Sequence, residues 1–228
     1  MEKKFKISVV IPTKNEEATI KEMIEGSKPY AHEILVVDGH SKDRTREFAK
    51  EAGARVILDH KKGKGDGLRV AIKEVTGDII VFIDADCSHD PADIPRLANP
   101  IIEGRAEHVT GSRMLGGSDE LHGNIGQFIR MVGTDIITMG INYRFNVRLT
   151  DSQNGFRAIL TEVARKLPLK ENVTSIEQEM IIKTLRHGYR ITEVPAHEYK
   201  RKDGKSTINM YTAWFRHVYS WLKYLLMD

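Results

Sequence analysis

The stretch Asp78-Ile79-Ile80-Val81-Phe82-Ile83-Asp84-Ala85-Asp86 decides the fold, because a continuous apolar run ends abruptly in two carboxylates one residue apart. Ile79 to Ile83 are β-branched or aromatic without alternation, the pattern of a strand covered on both faces in a parallel sheet. Asp84 and Asp86 then fall at its carboxyl end, where open α/β sheets bind ligands. Two carboxylates at positions i and i+2 can share a hard divalent cation, which prefers oxygen ligands. The other reading is a turn and a helix cap, since Ser88, Asp90 and Pro91 follow at once and suit a helix start.

Outward from this strand the chain alternates. Lys6–Ile11 reads as a strand stopping at Pro12, followed from about Glu16 by a helix with Ile20, Met23 and Ile24 on one face. Glu33–Val37 is a strand ending at Asp38. A helix over Asp43–Ala52 closes on Gly53, a left-handed C-cap. Ala54–Leu58 is a strand, Lys61–Gly67 a glycine and lysine loop, and Leu68, Ala71, Ile72 and Val75 mark the next helix. This β-α-β-α-β-α-β order predicts a parallel sheet with helices on both sides. The second half is less regular. Glu107–Thr110 reads as a strand leading to Gly111-Ser112-Arg113, Gly123–Asn142 as a long helix, Arg157–Leu167 and Ile176–His187 as helices, and Tyr189–Val194 as a strand.

The 228 residues suit one large domain or one domain with an appendage, and the chain shows no internal repeat or low-complexity linker. A net charge of +3 is too mild to argue for a nucleic-acid partner, but from Lys200 onward Lys and Arg outnumber Asp, suggesting an anionic partner or surface. The single cysteine, Cys87, excludes an internal disulfide and fits a reducing compartment. The chain opens directly on a strand and holds no uncharged run of about 20 residues, so a cytoplasmic protein without signal peptide or membrane span is expected. Thr207–Met227 reads as an amphipathic helix in which Trp214, Tyr219 and Trp221 lie beside Arg216 and Lys223. That mixture suits a membrane interface. Docking on the protein's own core, or on a second copy as a homodimer, is the alternative.

Two nucleotide-binding readings fail. A dinucleotide fold needs Gly-x-Gly-x-x-Gly after the first strand, whereas Pro12-Thr13-Lys14-Asn15-Glu16 stands there. Gly204-Lys205-Ser206-Thr207 resembles the end of a P-loop, but position 199 is Tyr and no strand leads into it. What remains is a set of charges at successive strand ends: Glu16, Asp38, Lys64, Asp84, Asp86 and Arg113. Together they suit a phosphate-bearing ligand with a metal.

Val9–Glu16, Val37–Thr45, Gly63-Lys64-Gly65 and Asp84-Ala85-Asp86 resemble, in order, the inverting glycosyltransferases of the GT-A fold, family 2. Gly111-Ser112-Arg113, Asp151-Ser152-Gln153-Asn154-Gly155-Phe156-Arg157, and Val194-Pro195 followed by Arg201–Ser206 look like the dolichyl-phosphate (polyprenyl-phosphate) mannosyl- and glucosyltransferase branch. The resemblance implies an α/β GT-A fold (nucleotide-diphospho-sugar transferase, Rossmann-like), a mixed, mainly parallel sheet flanked by helices, over residues 1–206, with a C-terminal amphipathic helix over 207–228. It implies that Pro12, Glu16 and Asp38 hold the nucleoside with Lys64 nearby. Asp84 and Asp86 would hold the diphosphate through Mg²⁺ or Mn²⁺, with Arg201 and Lys205 meeting donor phosphate. This chain departs from the pattern in two places: Asp38-Gly39-His40-Ser41 replaces the common Asp-Asp-Gly-Ser, and Ser88 stands where the branch often has Gln.

Breaking a sugar-diphosphate bond leaves charge on the nucleotide, which a cation on Asp84 and Asp86 plus Arg201 would stabilise. A hydroxyl acceptor needs a general base, for which Asp151 is the candidate. A lipid phosphate is already anionic and needs cations instead, supplied by Arg113 and Arg130. Asp151 would then orient Arg113 or the metal shell, or simply make a turn. The expected activity is metal-dependent transfer of a hexose, mannose from GDP-mannose in the first instance, to polyprenyl phosphate at the cytoplasmic membrane face. A soluble transferase with a small hydroxyl acceptor is the alternative. A nucleotidyltransferase would want a glycine-rich basic loop after the first strand, which is missing.

Overall fold

The computed structural model describes residues 4–120, 125–202 and 210–226. The elements in order are β1 (Ile7–Thr13), α1 (Ile20–Ser27), β2 (Glu33–Asp38), α2 (Thr45–Glu51), β3 (Arg55–Leu58), α3 (Lys64–Glu74), β4 (Ile79–Phe82) and α4 (Ile94–Ile102). They continue with β5 (His108–Ser112), α5 (Arg113–Gly116), α6 (Ile125–Phe145), β6 (Arg157–Leu160), α7 (Thr161–Lys166), α8 (Ile176–Arg186), β7 (Ile191–Pro195) and α9 (Met210–Leu226).

The strands form a seven-stranded sheet in the order β3-β2-β1-β4-β6-β5-β7. Only β6 runs antiparallel, between β4 and β5. Apolar side chains leave both faces of the sheet. Val9, Ile11, Val81 and Ile83 pack under α1 and α4, while Val10, Leu35, Ile80 and Phe82 meet Leu68 and Ile72 of α3 and Met180 of α8. This two-sided burial is what the unbroken Ile79–Ile83 run required.

Three expectations need correction. Arg157–Leu160 is a strand rather than the start of a helix, and the helix begins only at Thr161. An apolar segment this short carries no decisive periodicity, and ladder partners on both sides, β4 and β5, settle it. Strand β1 does not stop at Pro12 but runs to Thr13, pairing Pro12 with Val37. Ile83 N–H bonds to the Val10 carbonyl, so alternate residues of β1, Pro12 among them, face the β4 side. There the ladder has already ended at Val10, so the missing N–H of proline leaves nothing unpaired. Finally, α3 begins at Lys64, inside the expected loop. A Cβ on Gly65 would lie 2.5 Å from the Glu171 carbonyl oxygen, so only glycine lets this first turn pack against residues 171–173.

Helix α9 packs on α8 and α6. Tyr224 and Leu225 are buried with Ile137, Ile141, Ile181 and Ile182, so one face of α9 docks on the protein's own core. A Cβ on Gly140 would come within 2.2 Å of the Trp221 ring, so α6 and α9 approach closely at a glycine. The opposite face, Phe215, Tyr219, Leu222 and Leu226, stays exposed. Among the described residues no helix is long and apolar enough to cross a membrane.

Candidate active site

The carboxyl ends of β1, β2, β4 and β5 converge on one side of the sheet, and the charged residues expected there gather in two clusters. The first is built on β4. Asp84 follows the strand, and Lys64, at the first position of α3, places Nζ 2.7 Å from Asp84 Oδ1 and 3.1 Å from Glu177 Oε1. Burial alone would lower the Lys64 pKa, but these two carboxylates outweigh it and hold the ammonium above its ordinary value. Burial would raise Asp84, and Lys64 again outweighs it, keeping the carboxyl below its usual range. Gly155 lies against this pair: a Cβ there would come 2.9 Å from Lys64 Nζ and 3.0 Å from Asp84 Oδ2, so the ends of both side chains would have to shift.

Asp86 is held differently. Its Oδ1 accepts the Ser88 N–H at 3.0 Å, and its Oδ2 lies 2.7 Å from Arg201 Nη2. Arg201 is delivered by a segment whose backbone follows that of residues 86–88, with Tyr199 N–H bonded to the Ser88 carbonyl and Lys202 N–H to that of Asp86. Its Nη1 also reaches Glu16 Oε1 at 3.8 Å. Burial, with Asp86 and Asp84 adding repulsion, raises the Glu16 pKa despite Arg201 and the Thr19 hydroxyl. Pro12 is half-buried on β1. Asp38, fully buried at the end of β2, accepts both the Ser41 N–H and hydroxyl, with Arg46 Nε 3.6 Å away.

The second cluster is built on β5. Arg113 is buried and forms a two-point pair with Asp151, Nε to Oδ2 at 2.6 Å and Nη2 to Oδ1 at 3.0 Å. Its Nη1 lies 3.3 Å from Glu198 Oε1. Burial opposes charge on both members, yet Asp151 and Glu198 hold the guanidinium charged, and Arg113 holds Asp151 below the carboxylate range. Glu193 fixes the loop from behind by accepting the Asp151 and Thr150 N–H groups.

Lys205 lies outside the described residues, as does the side chain of Arg130, whose backbone belongs to α6. The sequence reading missed Glu177, Glu198, His89 and Arg157. Glu177 sits one residue into α8, where a carboxylate reads as a solvated helix-start charge, yet it is buried against Lys64. Arg157 is fully buried and donates to the Asn154 and Glu177 carbonyls, tying the 151–157 loop to that helix.

Asp84 and Asp86 offer hard oxygen ligands, which suit Mg²⁺ or Mn²⁺. The described residues hold no cluster of three or more His, Cys, Asp or Glu arranged for a metal, so a cation here would draw its other ligands from water and a diphosphate. Carboxylates are in excess around it: Glu16, Asp84, Asp86 and Glu177 face Lys64 and Arg201. Thr13 Oγ1, His89 Nε2, Asn154 Nδ2 and Glu177 Oε2 are buried without a hydrogen-bond partner among the described residues. Buried polar atoms of this kind call for a ligand or water. The residues therefore fit a metal-bridged polar ligand.

The family described as "Glycosyl transferase family 2" matches residues 8–168. Glycosyltransferase AglJ of Haloferax volcanii is 30% identical over 88% of this chain and 65% of its own length. The dolichol-phosphate mannosyltransferase of Pyrococcus furiosus is 31% identical over 96% of this chain and 64% of its own length. This chain thus spans somewhat less than two thirds of both. A crystal structure of Mycobacterium tuberculosis glucosyl-3-phosphoglycerate synthase with Mg²⁺ and uridine diphosphate superimposes with a TM-score of 0.79 at 24% identity, covering 98% of this chain and 80% of that one. That likeness carries the fold. The seven-stranded sheet with a single antiparallel strand, the strand-end carboxylates and the family match lead to one assignment: this chain belongs to glycosyltransferase family 2 and has the GT-A fold.

Proposed function

We propose that this chain is the catalytic part of an inverting, metal-dependent hexosyltransferase that moves a sugar, mannose from GDP-mannose in the first instance, onto a polyprenyl phosphate. The observation that carries the reading is the separation of the site into two clusters. One, Asp84, Asp86, Lys64 and Arg201, suits a metal-bound diphosphate; the other, Arg113 held by Asp151 and Glu198, is assigned to the acceptor.

On the donor side Asp84 and Asp86 would hold Mg²⁺ or Mn²⁺, which as a Lewis acid stabilises the leaving diphosphate. Arg201, which already touches Asp86, would meet the diphosphate there, and Lys64 would add a second cation. Glu16, Pro12 and Asp38 lie toward the β1 and β2 ends and are assigned to the nucleoside, and Lys205 to donor phosphate.

On the acceptor side both Asp151 oxygens are engaged by Arg113, and the carboxyl pKa is held down. A general base works best with a pKa near the working pH. Asp151 is therefore assigned to holding Arg113 rather than to removing a proton, which suits an acceptor that is already ionised. Arg130 is assigned to the same phosphate.

Membrane contact is assigned to helices α6 and α9, the latter lying within the C-terminal segment 207–228. Phe128, Val132, Ile136, Met139 and Tyr143 recur at helical spacing on α6, all exposed, as do Phe215, Tyr219, Leu222 and Leu226 on α9. Arg144, Arg148 and Arg216 are exposed on or beside these helices.

The test is product partition. Labelled GDP-mannose or UDP-glucose is offered with Mn²⁺ to polyprenyl phosphate in detergent, and in parallel to small sugar hydroxyl acceptors. Label in the organic phase is the expected result. Label transferred only to water-soluble acceptors would overturn the lipid assignment and return Asp151 to consideration as a base.

A further inference from the structure

We propose that His217, on α9, is a positioning residue of the acceptor half of the site: its Nδ1–H holds Gln153, and through it the Asp151 loop. The proposal rests on the acceptor-side reading of Arg113 and Asp151 given above.

A chain of hydrogen bonds fixes the assignment from a group with only one role. The His217 backbone carbonyl can only accept, and it lies 2.8 Å from the Gln178 amide nitrogen. Gln178 Oε1 therefore points the other way, where it accepts from Gln153 Nε2 at 3.0 Å. The Gln153 amide nitrogen also donates to Ser152 Oγ at 3.1 Å. That leaves Gln153 Oε1, an acceptor, facing His217 Nδ1 at 2.8 Å, so Nδ1 must carry the proton. In the neutral ring Nε2 then accepts from the Thr174 hydroxyl at 3.0 Å. The neutral ring with its hydrogen on Nδ1 satisfies all of these contacts, and burial, which holds the His217 imidazole below its ordinary pKa, favours that neutral form.

Both ends of this arrangement touch the site. Gln153 N–H donates to Asp151 Oδ1 at 3.1 Å, the same oxygen that receives Arg113 Nη2. The neighbouring Ser152 bonds to Thr138 of α6. Thr174 follows the segment whose Asn172 carbonyl accepts the Gly65 N–H beside Lys64. The imidazole thus ties α9 to the loop that aims Arg113, while its Nε2 reaches only the Thr174 hydroxyl. Phe215 and Tyr219, two residues to either side of His217, point to solvent, so one helix carries the outer apolar face and the inner contact.

Asparagine at 217 places an amide donor near the Nδ1 position, and glutamine places one near Nε2. With His217→Ala and His217→Gln, kcat for transfer is expected to fall about tenfold to a hundredfold, the cost of misplacing a reacting group, with KM for the nucleotide sugar and metal-dependent donor hydrolysis within about twofold. His217→Asn is expected to recover most of the loss. Glutamine rescuing as well as asparagine, or donor hydrolysis falling in step with transfer, would overturn the proposal. So would wild-type transfer rates in all three variants. Side-chain ¹⁵N NMR of the wild-type histidines reads the assignment independently of any acceptor. A neutral Nδ1–H ring at His217 near pH 7 is expected, and an Nε2–H ring or an imidazolium contradicts it. If wild-type enzyme transfers to no polyprenyl phosphate, the acceptor reading fails separately, and the NMR result still decides whether His217 holds Gln153.

Discussion

Arg201 Nη2 lies 2.7 Å from Asp86 Oδ2, so the guanidinium assigned to donor phosphate rests on the carboxylate assigned to the metal. With Nη1 also 3.8 Å from Glu16, the side chain is part of the charge balance at the end of β4. A divalent cation held by Asp86 would compete with it for the same oxygen, and a diphosphate would offer the guanidinium a new partner.

Arg201→Ala is therefore expected to move two quantities in opposite directions. Mn²⁺ binding to the protein without nucleotide tightens, by no more than about fivefold because a partly exposed ion pair is worth at most about 1 kcal/mol. Transfer falls by roughly a hundredfold to a thousandfold, the usual cost of losing one preorganised donor to a developing anion. Electron paramagnetic resonance of free Mn²⁺ and steady-state kinetics read the two effects.

Lys64 is the shared cation of Asp84 and Glu177, and Glu177 is almost fully buried. Lys64→Met leaves both carboxylates without it and is expected to cost about 3 kcal/mol in a denaturant melt, the lower end for breaking a buried ion pair. Adding Glu177→Gln removes one stranded charge, so the double variant should be more stable than Lys64→Met alone. An additive or worse double variant would show that the three groups are not coupled.

Glu16 gives a pH-dependent signature. Its folded pKa is raised, first by burial and then by Asp86 and Asp84, so the folded protein holds this proton more tightly than the unfolded chain. The ionised side chain is then a cost that appears as pH rises from the ordinary carboxylate value, about 4.3, through the folded one. Glu16→Gln should raise the melting temperature at pH 7, and the gain should vanish near pH 4. Thermal melts at the two pH values decide it, and weaker donor binding by the stabilised variant would mark Glu16 as a functional residue.

The exposed stripes of α6 and α9 give a binding prediction. Replacing Met139, Phe215 and Tyr219 by serine should abolish cosedimentation with vesicles containing anionic lipid, while the circular dichroism spectrum and donor hydrolysis stay unchanged. Retained cosedimentation would assign these faces another partner, a second copy of the chain being the first to test by light scattering.

Much of the site was legible because its charges stand where apolar strands stop. Asp38, Asp84, Asp86 and Arg113 all lie at or just beyond strand ends, and a break from β-branched residues to a charge is visible without coordinates. Strand β6 was hidden because Arg157-Ala158-Ile159-Leu160 suits helix as well as strand, and only two flanking ladders choose between them. Glu177 and His217 were hidden for another reason. Their partners, Lys64 and Gln153, are more than sixty residues away in sequence, and a helix-borne Glu or His gives no local sign of which way it points. Arg157 was hidden too, because it is fully buried and its hydrogen bonds go to the Asn154 and Glu177 backbone carbonyls, which no sequence pattern announces.

Asp84 and Asp86 are proposed to bind the donor diphosphate through a divalent cation. Calorimetric titration of guanosine and uridine diphosphates, with Mn²⁺ and with chelator, into wild type, Asp84→Asn and Asp86→Asn tests it most directly. Binding by the wild type is expected to need Mn²⁺ and to be lost in both variants, with the thermal stability of Asp86→Asn retained. Equal nucleotide affinity with and without metal, or in wild type and Asp86→Asn, would contradict it.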